Sequence, residues 1–166
     1  NGAVKITPAA TVAGTLDETV FVSVMHNGKT QTAHGENFSF SLNLDSGSNS
    51  IILAAIDSAG NRTTRSIDVS YDATPLSILS LIPASGAILA GREVNIEGRI
   101  SEPSDVLLSG NGSSSQSISG TGFSFPVVLN PGDNIYRIDV TTKLGKAAVA
   151  HINLTYVPLT LTVASP

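Results

Sequence analysis

The chain of 166 residues is 41% hydrophobic but only 13% charged, carries a formal net charge of −4 and has no cysteine. Apolar residues are plentiful enough for a packed core, which excludes disorder, and the nine lysines and arginines form no basic stripe that would indicate nucleic-acid binding. The lack of cysteine excludes disulfides, iron–sulfur clusters and thiolate zinc sites, and no apolar run approaches the roughly 20 residues that cross a bilayer.

Alternation of apolar and polar residues predicts strands along most of the chain. Every second residue of a strand points to the same face, and apolar residues keep this phase over segments 38–44, 51–55, 67–71, 123–129, 136–140 and 152–156. Turn signals separate these segments. Asn27-Gly28 suits a type I′ hairpin, which needs positive φ at both positions, and Asp57 with Gly60 predicts a second tight turn.

An internal repeat sets the number of domains. Segment 12–18 recurs at 96–102, so that Gly14 and Glu18 align with Gly98 and Glu102. Later positions follow in the same order, with Phe38, Gly47, Gly60 and Tyr71 aligned with Phe123, Gly132, Gly145 and Tyr156. Each copy has about seven short predicted strands, a pattern typical of a β-sandwich. We therefore predict an all-β chain with domains at residues 1–73 and 74–157, and a linker and the start of a further module at 158–166.

Three motifs of the first copy resemble the signatures of bacterial Ig-like repeats, which occur in surface adhesins and in accessory regions of secreted carbohydrate-active enzymes. The motifs are Gly14-Thr-Leu-Asp-Glu18, Gly47-Ser-Asn-Ser-Ile51 and Ile56-Asp-Ser-Ala-Gly-Asn61. The second copy departs from the third motif at 142–146, where the Asp and Asn are missing. The resemblance implies two tandem immunoglobulin-like β-sandwich domains, an extracellular or cell-surface location and neighbouring Ig-like modules in the same chain.

The functional expectation is a non-enzymatic module. Neither the G-x-S-x-G motif of hydrolases nor the G-x-x-x-x-G-K motif of phosphate-binding loops occurs, and the motifs of the resembled family are structural. We expect a structural spacer or adhesive module of an extracellular or cell-surface bacterial protein. The alternative is an accessory module of a secreted enzyme that binds a carbohydrate or a protein, although Phe21 is the only aromatic residue assigned to an outward phase.

Histidines and acidic residues are the candidate metal ligands of the chain. A turn at Asn27-Gly28 places His34 opposite Phe21, several pairs away from His26, so the two histidines are predicted to be solvated strand residues that cannot share a metal. No other cofactor is expected. A calcium site is a weaker hypothesis, in which Asp17 and Glu18 of one loop approach Asp72 at the domain junction and supply oxygen ligands.

An apolar strip is predicted on the outer face of the first copy. Ile52, Ala54 and Ile56 occupy outward phases of one strand, where the second copy has Ile135, Arg137, Asp139 and Thr141. A contiguous exposed apolar surface on a protein often marks a contact with another protein. The alternative is that a neighbouring loop of the same domain covers the strip.

Overall fold

The computed structural model describes residues 2–160, and all regular secondary structure in that range is β-strand. Two compact units divide the chain between Thr74 and Pro75, one residue beyond the predicted boundary. Of the predicted linker and further module at 158–166, residues 161–166 lie outside the described part. Within residues 2–160 no helix is long and apolar enough to span a membrane.

The first unit is one five-stranded sheet. Its strands are β1 (Ala3–Lys5), β2 (Ala9–His26), β3 (Lys29–Asn43), β4 (Gly47–Ile56) and β5 (Arg62–Tyr71). Their order is β1-β5-β4-β2-β3, with β1 parallel to β5 and the remaining pairs antiparallel.

The hairpin of β2 and β3 is longer than predicted. Its ladder runs from the His26–Lys29 pair to the Ala9–Asn43 pair, interrupted once between Thr15 and Val20. Inward residues from both sides of this interruption belong to one core, including Val12 from the first half of β2 and Val24 from the second. The ladder therefore folds over at the irregularity, so each long strand supplies one short strand to each layer of a sandwich. Counted as halves, the strands number the predicted seven.

The second unit repeats this plan and adds one strand. Its strands are β6 (Ile78–Ile82), β7 (Ala87–Leu89), β8 (Glu93–Gly110), β9 (Ser113–Val128), β10 (Gly132–Thr141) and β11 (Ala147–Tyr156). The order is β6-β8-β10-β11-β7, with β9 also paired to β8. Strand β7 is parallel to β11, as β1 is to β5. The additional strand β6 is antiparallel to the first half of β8.

A glycine under an aromatic ring explains the first repeated motif. Gly14 is paired with Phe38 across β2 and β3, and a Cβ atom on Gly14 would lie 2.6 Å from Cζ of that ring. In the second unit a Cβ atom on Gly98 would lie 2.3 Å from Cζ of Phe123. Only glycine leaves room for the ring at these positions.

A buried asparagine explains the second motif. The Asn134 side chain is fully buried. Its Oδ1 accepts a hydrogen bond from the backbone N–H of Asn130 at 2.8 Å, and its Nδ2 donates to the carbonyls of Asn130, Gly132 and Leu154. Asn49 makes the equivalent bonds to Asp45 and Gly47 in the first unit. The side chain thus replaces the missing backbone partners of a tight loop.

We expect Asn134→Ala to destabilise the second unit by about 2–3 kcal/mol, because it leaves buried backbone groups of the loop without partners. Urea unfolding, followed through resonances of the second unit, measures the loss. Asn130→Ala is the matched control, since the side chain of Asn130 is exposed and only its backbone takes part. Equal losses in the two variants would contradict this role of the Asn134 side chain.

Candidate functional site

The outer face of β2 and β4 carries a cluster of exposed apolar side chains. Phe21 is paired with Ile56, and Met25 with Ile52, and residues directly opposite one another in a ladder share a face of the sheet. Phe21 is 66% exposed, Met25 46%, Ile56 44% and Ile52 38%. We call these four residues the apolar patch. Only the β4 half of the patch is predicted from the sequence, because the cross-strand pairing that adds Phe21 and Met25 depends on register.

Ala54 was predicted to lie on the exposed strip, but it is not part of the patch surface. It is only 8% exposed, although it is not part of the hydrophobic core cluster. Its position in the ladder is between Ser23 of β2 and Thr64 of β5. A methyl group between larger neighbours on both sides is covered by them, so Ala54 separates the two isoleucines without contributing exposed area.

His34 extends the patch at one edge. It is paired with Phe21 in the ladder, as the position of the Asn27-Gly28 turn predicts, and the two ring centroids are 4.5 Å apart. The exposed face therefore combines aromatic and aliphatic surface with one titratable ring. This composition suits contact with another protein surface, where aromatic residues and methionine are enriched.

The equivalent positions of the second unit are polar, although Leu107 and Ile135 are exposed on the same face. The positions equivalent to the patch are Asp105, Ser109, Arg137 and Thr141, which occupy the same two paired strands. Arg137 forms an ion pair with Asp139, with 2.6 Å between Nη2 and Oδ1. The side-chain hydrogen bonds from Arg137 hold the pKa of the Asp139 carboxyl below its usual value. The apolar patch is thus particular to the first unit.

His26 corrects the prediction that the strand histidines are solvated. It is 6% exposed, and its Nε2 donates a 2.9 Å hydrogen bond to Oδ1 of Asn49. The alternation of Val20, Val22 and Val24 continues to position 26, so the phase of β2 already placed this ring inward. His34 is exposed, as predicted, and His151 of the second unit is exposed as well.

The residues of the calcium hypothesis lie far apart, so they cannot form one site. Asp17 and Glu18 lie at the irregularity of β2 and line a shallow cleft of about 190 Å³ with Asp57 of the β4–β5 turn. Asp72 follows the opposite end of β5, a strand of 10 residues that spans roughly 30 Å at about 3.3 Å per residue. Residues 2–160 contain no group of three or more metal-ligating side chains.

The β4–β5 turn is held by a carboxylate. Oδ1 of Asp57 accepts hydrogen bonds from the backbone N–H of Ala59 at 2.9 Å and of Asn61 at 2.8 Å, and Oδ2 accepts from Nδ2 of Asn61 at 2.7 Å. The side-chain hydrogen bond from Asn61 is the main cause that lowers the pKa of Asp57. This is the physical basis of the third motif.

The second unit closes the corresponding turn with different chemistry. Oγ1 of Thr142 accepts a hydrogen bond from the backbone N–H of Lys146 at 3.1 Å. The buried Nζ of Lys146 forms a 2.9 Å salt bridge with Oε1 of Glu102. The departure from the motif is visible in the sequence. The ion pair is not, because Glu102 and Lys146 are distant along the chain.

We expect the stability of the first unit to depend on the ionisation of Asp57. A carboxyl whose pKa is lower in the folded state stabilises the fold above its unfolded pKa of about 4, and the contribution is lost as the pH falls through the folded pKa. The wild-type chain should therefore exceed Asp57→Asn in stability at pH 6, and the difference should shrink toward pH 3. Urea unfolding of both proteins across this range measures it. A difference that does not change with pH would contradict the expectation.

Comparisons with known proteins agree with this architecture. Residues 1–73 match the family model described as glucodextranase, domain B. A search of curated proteins finds no match. Among solved structures, the fibronectin(III)-like modules of CbhA from Clostridium thermocellum are 10% identical with a TM-score of 0.51, covering 100% of this chain and 95% of that one. At that identity the likeness shows the fold alone.

Two bacterial adhesin structures are similar at lower scores. A 1.5-MDa ice-binding adhesin is 12% identical over 95% of this chain and 61% of that one, with a TM-score of 0.48. A Ca²⁺-stabilized ice-binding adhesin of an Antarctic bacterium is 15% identical over 98% of this chain and 47% of that one, with a TM-score of 0.46. The chain is a tandem of two Ig-like β-sandwich units, and residues 1–73 match the family model of glucodextranase domain B.

Proposed function

We propose that the chain is a non-enzymatic, load-bearing spacer of an extracellular or cell-surface bacterial protein, in which tandem units hold a functional region in place. The observation that carries the proposal is the parallel pairing of a short strand with the last strand of each unit, β1 with β5 and β7 with β11. The family match of residues 1–73 to a domain of glucodextranase supports the extracellular setting.

Both units close the parallel pair with the same backbone hydrogen bonds. In the first, the N–H of Gly2 donates to the carbonyl of Asp68 and that of Asp72 donates to Lys5, both at 2.8 Å. The second unit repeats them from Gly86 to Asn153 at 2.7 Å and from Val157 to Leu89 at 3.0 Å. We call each pair of strands with its two closing bonds a terminal clamp.

A terminal clamp resists tension because of its direction. The two strands run the same way, so the chain enters β1 at one end of the pair and leaves β5 at the other. Tension on the chain pulls these strands past each other, and their hydrogen bonds are loaded together instead of one after another. In the second unit β6 precedes the clamp and is loaded first. Resistance to force depends on the unfolding rate. Hydrogen bonds that must break together raise the barrier to unfolding and so slow that rate.

The apolar patch favours a second candidate function, an accessory module that binds a protein. A patch of four neighbouring apolar side chains on the first unit alone is more than scattered surface hydrophobicity. Carbohydrate binding has weaker support, since Phe21 is the one strongly exposed aromatic ring among the residues that the structure describes. The spacer and binding functions are compatible, because patch and clamp involve different residues.

The clamp is tested by pulling single molecules of the full chain from both ends. Asp72→Pro removes the N–H that donates to Lys5, so we expect the first unit to unfold roughly tenfold faster at a fixed force, the effect of about 1.4 kcal/mol on a barrier. Asp72→Ala keeps the N–H while it removes the carboxylate, and should unfold much more slowly than Asp72→Pro. A chain whose unfolding is equally fast in both variants would rule out the clamp as the load-bearing element.

The patch is tested by self-association in sedimentation. We expect weak association of the chain through the patch, and Ile52→Thr with Ile56→Thr should weaken it at least tenfold, or about 1.4 kcal/mol. Leu107→Thr with Ile135→Thr replaces exposed apolar residues of the second unit and serves as the control. If self-association is unchanged by the first pair of substitutions, or is weakened equally by the control pair, the patch is not the contact surface.

A further inference from the structure

The chain has one sulfur atom, which belongs to the thioether of Met25. It contains a single methionine and no cysteine. Thiols and thioethers are the side-chain groups that peroxides oxidise most readily. Since no thiol competes, a peroxide has one readily oxidised side chain in this protein.

Met25 is open to solvent on the outer face of β2. It is 46% exposed, whereas Val24 and His26 on either side of it are buried. Alternation along the strand directs position 25 away from the core. A peroxide therefore reaches the sulfur in the folded protein, without any opening of the core.

The repeat shows that strands of the same unit leave this face uncovered. In the second unit the strands that precede β8 pair elsewhere, β6 with the first half of β8 and β7 with β11. The face equivalent to the patch still exposes Leu107, Ile135 and Arg137. The exposure of Met25 thus follows from a plan that both units share.

The apolar patch is complementary to a second copy of itself. It consists of two apolar pairs, Phe21 with Ile56 and Met25 with Ile52, which lie roughly 13 Å apart along the strands at about 3.3 Å per residue. The row between them contains the buried Ala54 and a half-buried serine, so it contributes little exposed surface.

A two-fold axis relates the two copies in this arrangement. The axis lies between the facing patches and crosses the strands at the row of Ala54, so that the first apolar pair of one copy meets the second pair of the other. Met25 then lies against the aromatic ring of Phe21 in the second copy. Contacts between a thioether sulfur and an aromatic ring are favourable.

We propose that two copies of the chain pack through the apolar patch, and that oxidation of Met25 by a peroxide separates them. The proposal rests on the self-association expected of the patch. It adds to that expectation the occupant, the geometry of the contact and a chemical switch.

The reaction transfers one oxygen atom from the peroxide to the sulfur of Met25. A lone pair of the sulfur attacks one peroxide oxygen, the O–O bond breaks and a sulfur–oxygen bond forms. The other oxygen takes up the remaining proton and leaves as water. Sulfur is oxidised by two electrons, and hydrogen peroxide is reduced by the same two.

The product changes the character of the contact. A sulfoxide is polar and accepts hydrogen bonds, whereas a thioether is apolar. Its neighbours in the contact are the side chain of Ile52 and the ring of Phe21 from the second copy, and neither donates a hydrogen bond. Burial of an unpaired polar group is unfavourable, so the oxidised copies separate.

Sedimentation of the full chain before and after treatment with hydrogen peroxide tests the proposal. Mass spectrometry of proteolytic fragments measures the gain of one oxygen atom at Met25. We expect oxidation to weaken self-association at least tenfold. Methionine sulfoxide reductase with a thiol reductant should restore the association, because it converts the sulfoxide back to the thioether.

Met25→Leu is the matched control, since leucine has a similar apolar volume and no sulfur atom. We expect this variant to self-associate as the wild-type chain does, and peroxide to leave its association unchanged. Dispersed amide resonances show that the variant and the oxidised chain are folded.

The switch is overturned if self-association persists after complete oxidation of Met25, a result that leaves the patch contact intact. It is also overturned if peroxide weakens the association of Met25→Leu equally, because the sensitive group then lies elsewhere. An untreated chain that does not self-associate contradicts the patch contact and the switch together. The spacer function is tested separately, by the pulling experiment.

Discussion

The fold of each unit depends on one long hairpin ladder that folds over on itself. Strands β2 and β3 stay paired on both sides of the irregularity between Thr15 and Val20, so one pairing supplies backbone hydrogen bonds in both layers. Because the same two strands line both layers, their inward residues meet in one core. The ring of Phe38 over Gly14 lies in the half of this ladder that precedes the fold-over in β2, where a Cβ atom at position 14 would collide with the ring.

Folding over also decides which strands pair with each half of β2. The second half of β2 pairs with both β3 and β4, whereas the first half pairs with β3. In the second unit β6 pairs with the first half of β8, and Phe123 is buried. The short strands β1 and β7 close a different edge through parallel pairing with the last strand of their unit. Load bearing is proposed for this edge.

Equivalent backbones carry surfaces of different character. The faces built by β2 with β4 and by β8 with β10 have the same pairing, yet the first displays Phe21 and Ile56 where the second displays Asp105 and Thr141. The turns also differ, since Asp57 and Asn61 are replaced by Thr142 and by Lys146 in its salt bridge with Glu102. Repetition maintains the core, and the exposed positions are free to diverge.

The sequence by itself determined the strand class, the Asn27-Gly28 hairpin and the two-fold repetition, because alternation, turn chemistry and self-similarity are properties of short segments. It also placed His34 opposite Phe21, since a known turn fixes the register of its own hairpin. Tertiary structure alone decided the burial of Ala54, the separation of Asp72 from Asp17 and the pairing that joins Phe21 and Met25 to Ile56 and Ile52. These depend on which strands become neighbours across the sheet, a choice made by long-range pairing that no single segment specifies.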